Sequence, residues 1–225
     1  MTAQPPAASP VVPAKMELGV YVSKAWELMK ANALLLIVTY LIAAVIASIP
    51  LVGLIIGGPV MFGFVRILQK RYKGEPAEIG QVFDAFKTDF TKGLVTFLLL
   101  AAVSFCVAIP AVIIFMLLNF LVPCVGTLLG FLIYMAAFLA IGTSLYFVLP
   151  IAALSDVAPV DAIKKGFKFM TANIGPMILL ALVTGLISMA GMVACGIGVW
   201  FTAPMSMAIV VIAYNEWYLP NTPAA

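Results

Sequence analysis

The sequence predicts an all-α polytopic membrane protein with six transmembrane helices as three parallel helical hairpins. A cytoplasmic interfacial amphipathic helix is expected before each hairpin. Three observations carry this expectation. The 225 residues are 64% hydrophobic and only 9% charged, where soluble domains carry about 25%. The charged residues fall into short clusters, leaving residues 31–65, 93–155 and 169–215 with none. A single crossing needs only about 20 residues, and each uncharged tract has Pro or Gly near its middle, where the chain can turn back. A β-barrel does not fit, because runs such as Leu34-Leu35-Leu36-Ile37-Val38 do not alternate.

The chain divides into one integral-membrane domain, residues 16–218, flanked by tails at 1–15 and 219–225. The first tail is Pro- and Ala-rich and is expected to be disordered, since it has too little apolar surface to offset its ordering entropy. It lacks the basic and apolar regions of a signal peptide. The first spanning helix would then act as the insertion signal.

Pro50 and Gly53 divide the first tract into helices near 31–49 and 51–68. Pro123 and Gly126 divide the second into helices near 93–121 and 125–151, with Pro110 kinking the longer one. Gly196 and Gly198 divide the third into helices near 174–194 and 199–213. Amphipathic stripes precede each pair. The first is Leu18, Tyr21, Val22, Ala25 and Met29; the second is Ile79, Val82, Phe83, Phe86 and Phe90. The third is Ile163, Gly166, Phe167 and Met170. Such a stripe suits a helix packed across the end of a bundle as well as one lying in the membrane interface.

Six crossings put both termini on one side, and the Lys/Arg excess names that side as cytoplasmic. The units also resemble one another. Lys24-Ala25-Trp26-Glu27-Leu28-Met29-Lys30-Ala31-Asn32 matches Lys165-Gly166-Phe167-Lys168-Phe169-Met170-Thr171-Ala172-Asn173. Gly53 and Pro59 correspond to Gly198 and Pro204, and Pro50, Val52, Gly53 and Gly57 to Pro123, Val125, Gly126 and Gly130. The expected repeat units are about 17–73, 79–152 and 161–218. Parallel repeats relate by an axis along the membrane normal. Gly53, Gly57, Gly126 and Gly130 are expected to pack helices closely, because small residues supply close approach where lipid removes the hydrophobic drive. Pro59, Pro110 and Pro204 are the expected kinks.

The run Gly58-Pro59-x-x-x-Gly63, then Lys73-Gly74-Glu75-Pro76 and Val82-Phe83-Asp84-Ala85-Phe86, resembles a pattern of bacterial inner-membrane proteins. Pro150, Asp161-Ala162-x-Lys164, Asn173, Pro204 and Tyr214 extend the similarity. The chain is similar to uncharacterised six-helix families related to the YciC-like proteins, and to the membrane domain of some glycerophosphodiester phosphodiesterases. The resemblance implies a six-helix fold in the bacterial inner membrane. No phosphodiesterase catalytic domain accompanies it.

The sequence holds no histidine, which removes the commonest general base and metal ligand. No charged residue falls inside an expected crossing, which argues against a proton-coupled transporter or a charged selectivity ring. A neutral path would use Asn119, Thr127, Tyr134, Thr143, Ser144, Tyr146, Thr184 and Ser188, groups that more often bond across helices. Cys124 and Cys195 fall at two uncharged turns and form a candidate disulfide, while Cys106 is expected to pack in mid-span. Lys24, Arg66, Lys70, Arg71, Lys73, Lys164, Lys165 and Lys168 are candidate lipid-headgroup contacts, at about 1 kcal/mol per basic group near an anionic leaflet. No catalytic, cofactor-binding or metal-ligating residues are singled out, and no cofactor or nucleic-acid partner is expected. The expected function is a non-enzymatic structural or interaction module. Its partners would be membrane lipids, a further copy of the chain or another membrane protein. The alternative is a small channel or transporter for a neutral or apolar solute.

Overall fold

The computed structural model describes residues 15–193 and 198–222, with side chains for all of these except 123–124, 136–141 and 144. The described residues form helices and turns and no strand. The helices are α1 (Leu18–Ser48) and α2 (Val52–Tyr72), then a 3₁₀ turn (Ile79–Phe83), α3 (Ala85–Thr88), α4 (Phe90–Leu121) and α5 (Pro123–Leu145). After these come α6 (Val148–Leu154), α7 (Pro159–Ala172), α8 (Ile174–Val193) and α9 (Val199–Ala213). A π-helical stretch (Tyr214–Tyr218) and α10 (Leu219–Asn221) complete the described chain. Among the described residues, α1, α2, α4 and α8 are long and apolar enough to cross a membrane. An apolar sequence without polar alternation becomes helical in lipid because only the helix satisfies every backbone group within one segment.

Contacts run from α1 to α2, α2 to α4, α4 to α5, α5 to α8, α8 to α9 and α9 back to α1. Inside this ring α2 also meets α6 and α9. Of its most apolar stretch 61% is buried, against 6% for α4, so α2 is the central helix and α4 a peripheral one. The core follows from that placement. Phe62, Phe64, Ile67 and Leu68 of α2 are buried with Ile151 and Ala152 of α6 and Ile209 and Ile212 of α9. Phe147, Phe169, Trp217 and Tyr218 add a ring cluster with centroids 4.8–6.0 Å apart.

Three bends share one backbone conformation. Asn32 within α1 has φ −134° and ψ 25°. Asp89, between α3 and α4, has φ −139° and ψ 32°. Asn173, between α7 and α8, has φ −135° and ψ 41°. Short amide side chains favour such bends because they bond to the nearby main chain. Asn32 Nδ2 donates to the Leu28 carbonyl at 3.0 Å, and Asn173 Nδ2 to the Phe169 carbonyl at 2.9 Å.

Several expectations are corrected. The helix expected over 125–151 breaks at Tyr146–Phe147. Pro150 lacks the N–H that would bond the Tyr146 carbonyl. The second amphipathic stripe is a 3₁₀ turn plus one helical turn: Val82 is buried, while Ile79 and Phe83 are exposed. In α7 the buried residues are Ala162, Gly166 and Phe169, and Phe167 is 54% exposed. Cys106 is exposed on α4 instead of packed.

At Leu51 the α1–α2 reversal takes φ +62° and ψ −51°, with Val52 N–H donating to the Pro50 carbonyl at 2.7 Å, a tight γ-turn. Glycines permit the closest helix approaches. A Cβ on Gly53 would strike the Ala47 carbonyl, one on Gly126 the Leu118 carbonyl, and one on Gly191 the Thr202 hydroxyl and then the Gly198 carbonyl. Between neighbouring pairs, Gly58 lies against the Gly93 carbonyl and Gly63 against the Val82 carbonyl. A Cβ on Gly130 would crowd the Phe115 ring, whereas one on Gly57 would sit in ordinary contact 3.6 Å from Phe97. Gly58→Ala and Gly63→Ala are therefore expected to lower stability by about 1–3 kcal/mol. Gly57→Ala should stay within about 0.5 kcal/mol of the wild type. Thermal unfolding in detergent checks the contrast, and equal losses at all three positions would contradict the packing described.

Candidate functional site

The charged ends of α1, α2 and α4, the Ile79–Thr88 segment and the π-helical stretch meet in one polar network, organised by the last two turns of α2. With about 100° per residue, Arg66, Gln69, Lys70, Arg71 and Tyr72 point to all sides of that helix. Each finds a partner outside α2, and Gln69 and Tyr72 both end on the π-helical stretch. Arg66 Nε donates to the Ala153 carbonyl at 3.1 Å, Nη1 to Thr88 Oγ1 at 3.1 Å and Nη2 to Asp89 Oδ2 at 2.5 Å. Arg71 Nε donates to Asn32 Oδ1 at 2.6 Å. The two arginines thus hold two of the three bends. Gln69 and Asn215 exchange a pair of amide hydrogen bonds at 2.8 and 2.6 Å. Tyr72 Oη donates to Glu216 Oε1 at 2.6 Å, and Lys24 Nζ reaches the same oxygen at 2.5 Å. Lys92 Nζ donates to the Ser155 carbonyl at 2.5 Å.

The carboxylates feel this arrangement. The hydrogen bond from Arg66 holds the Asp89 carboxyl below its usual range, with burial opposing and Thr88 assisting. Burial alone pushes Glu216 up, but the hydrogen bonds from Lys24 and Tyr72 together outweigh it and leave the carboxyl lowered.

The sequence-derived basic residues divide by their partners. Lys24, Arg66, Lys70 and Arg71 are tied to neighbours within the chain, Lys70 through Gln81 Oε1 at 3.1 Å. Lys164 pairs with Asp161 at 3.5 Å, with both side chains more than half exposed, a geometry that contributes little. Lys73 and Lys168 are exposed and Lys165 half-buried, without a side-chain partner among the described residues. α7 presents Val160, Lys164, Phe167 and Lys168 along one outward stripe, with Val160 50% and Phe167 54% exposed.

Several of the hydroxyls considered for a neutral path bond to one another, to neighbouring side chains or to carbonyls. Tyr146 Oη and Thr184 Oγ1 share a hydrogen bond at 2.5 Å, and Thr184 Oγ1 donates to the Leu180 carbonyl at 2.8 Å. Ser188 and Ser206 meet at 3.0 Å, and Thr127 donates to Asn119 at 3.1 Å. Cys195 and the Cys124 side chain, the candidate disulfide, lie outside the described residues, as does the side chain of Ser144.

Sequence reasoning missed Gln81, Asp89 and Glu216 as partners of the basic residues, and it missed the Gln69–Asn215 pair beside them. A signal existed for some of them: Asn215 and Glu216 stand where an uncharged tract ends, at the level of the α2 cluster. Comparisons with protein-family models, curated proteins and solved structures found no match to this chain.

Both lowered carboxyls contribute stability that is present above the ordinary carboxylate range and lost as pH falls through their lowered values. The wild-type unfolding temperature should therefore drop as pH falls from about 5 to about 3. The Asp89→Asn/Glu216→Gln double variant should lose about 2–4 kcal/mol at neutral pH, on the scale of hydrogen bonds to charged groups. Its acid slope should be shallower. A slope parallel to that of the wild type would show that these two groups do not carry the acid sensitivity.

Proposed function

We propose that this chain is a non-enzymatic integral protein of the bacterial inner membrane, acting as a structural or interaction module through its charged, cytoplasmic face. In this reading α5 and α9 join α1, α2, α4 and α8 as crossings. The six form three parallel hairpins, with both termini in the cytoplasm. The shared backbone conformation at Asn32, Asp89 and Asn173 supports the internal repeat, because each of these residues joins a charged-end segment to a long apolar helix. The resemblance to the YciC-like and phosphodiesterase-associated membrane domains belongs to the same proposal.

The observation that carries the reading is the outward stripe of α7. Two half-exposed apolar side chains alternate there with lysines, while Ala162, Gly166 and Phe169 hold the opposite face to the core. A helix so arranged suits an anionic lipid surface: the rings and branched chains enter the acyl boundary and the lysines meet phosphates. The enclosed aromatic cluster of Phe147, Phe169, Trp217 and Tyr218 supports a module over a conduit for a neutral solute.

Polymer-encased bilayer particles cut from mixed membranes test the reading. Anionic lipid should be enriched around the wild type. Enrichment should fall to the bulk value in Lys164→Gln/Lys165→Gln/Lys168→Gln, in step with about 1 kcal/mol per lysine. Unchanged enrichment would refute the surface. Liposomes containing only this protein should retain small neutral solutes as empty liposomes do, and leakage would favour the channel reading.

A further inference from the structure

A cleft separates α2 from the Ile79–Thr88 segment, and none of its lining residues belongs to α7. It is open to one side, has a volume of about 250 Å³ and is lined by Arg66, Ile67, Lys70, Gln81, Asp84 and Thr88, of which Asp84 and Thr88 are exposed. Its charges are unevenly satisfied. Arg66 is neutralised by Asp89, which stands beside the cleft. The Lys70 ammonium has one neutral partner, Gln81 Oε1, and two N–H groups to spare. The Asp84 carboxylate has no hydrogen-bond or ion-pair partner among the described residues. Lys70 and Asp84 line the same small space without pairing with each other. A purely anionic ligand would meet Asp84, and a simple cation would meet Lys70. A ligand bearing both charges satisfies both side chains. The volume falls below the roughly 300 Å³ at which drug-sized pockets begin, so the cleft suits a polar headgroup and not an acyl chain.

We infer that this cleft binds a zwitterionic phosphate–ammonium group, with the phosphate on Lys70, the Gln81 amide N–H and the spare Arg66 N–H groups, and the ammonium on Asp84. This deepens the lipid-contact reading and takes from it the source of the ligand, the ethanolamine headgroup of a membrane phospholipid. Free phosphoethanolamine presents the same chemistry.

Native mass spectrometry of the full chain, released from bilayers of phosphatidylethanolamine and phosphatidylglycerol, tests the inference. The wild type should retain phosphatidylethanolamine preferentially. Lys70→Gln and Asp84→Asn should each reduce that adduct about fivefold, the scale of one exposed ion pair. Asp84→Lys should shift the preference to phosphatidylglycerol. Asp84 has no intramolecular side-chain partner to lose, so its variants should keep the wild-type unfolding temperature. If phosphatidylethanolamine is not retained but free phosphoethanolamine raises the unfolding temperature of the wild type and not of Asp84→Asn, the site stands with a soluble occupant. Equal retention of both lipids with no response to phosphoethanolamine, or an adduct unchanged in both variants, overturns the inference. Lys164→Gln/Lys168→Gln separates the two readings. Loss of the phosphatidylethanolamine adduct there would assign it to α7 and not to the cleft. Absence of anionic enrichment in the wild type, with this adduct intact, would sink the α7 surface alone.

Discussion

Two guanidinium groups on one enclosed helix hold the charged end of this molecule together. Arg66 and Arg71 leave α2 in directions about 140° apart and end on Asp89 and Asn32, the residues at which two neighbouring segments bend. Between helices in lipid the hydrophobic effect contributes little, so packing and polar contacts must fix their relative placement. The glycine approaches supply the first and the network around α2 the second. Because α2 touches α1, α4, α6 and α9, a change in its final turns reaches most of the bundle at once.

The same constraint explains why the basic residues have unequal roles. A half-buried arginine with three different acceptors is committed to the fold. The exposed Lys73 and Lys168 are not, and Lys164 is held only by a long, solvated pair. The proposed surface chemistry therefore rests on α7, and the cleft on Lys70, whose partner is neutral. The proposed membrane attraction and the internal bracing draw on the same clusters of the sequence but on different members of them.

Much of this fold was legible in the sequence, because apolar runs, proline positions and charge clusters are each local. Of the first stripe, Tyr21, Ala25 and Met29 are buried and Leu18 and Val22 half-buried, so it packs into the bundle, and the breaks at Pro50 and Pro123 fall where expected. The α7 stripe was read through Phe167, but Phe169 faces the core, because Trp217 and Tyr218 lie there at 4.8 and 4.9 Å. Those partners are distant in sequence and leave no trace in local periodicity. Gly58 and Gly63 were quoted only as part of a motif, and their role depends on which backbones come to lie beside them. Asn32 and Asn173 correspond in the sequence match between the first and third stretches. Asp89, with a different side chain, shares only their backbone conformation.

Double-mutant cycles on Arg66 with Asp89 and on Arg71 with Asn32, read by unfolding in one detergent at neutral pH, test the claim that α2 braces the bends. If it does, each pair should show a coupling energy above about 1 kcal/mol. The Arg66–Asp89 pair should couple more strongly, because both of its groups carry charge. Additive losses within about 0.3 kcal/mol in both cycles would mean that the bends form without the arginines, and that packing alone sets the charged end of the bundle.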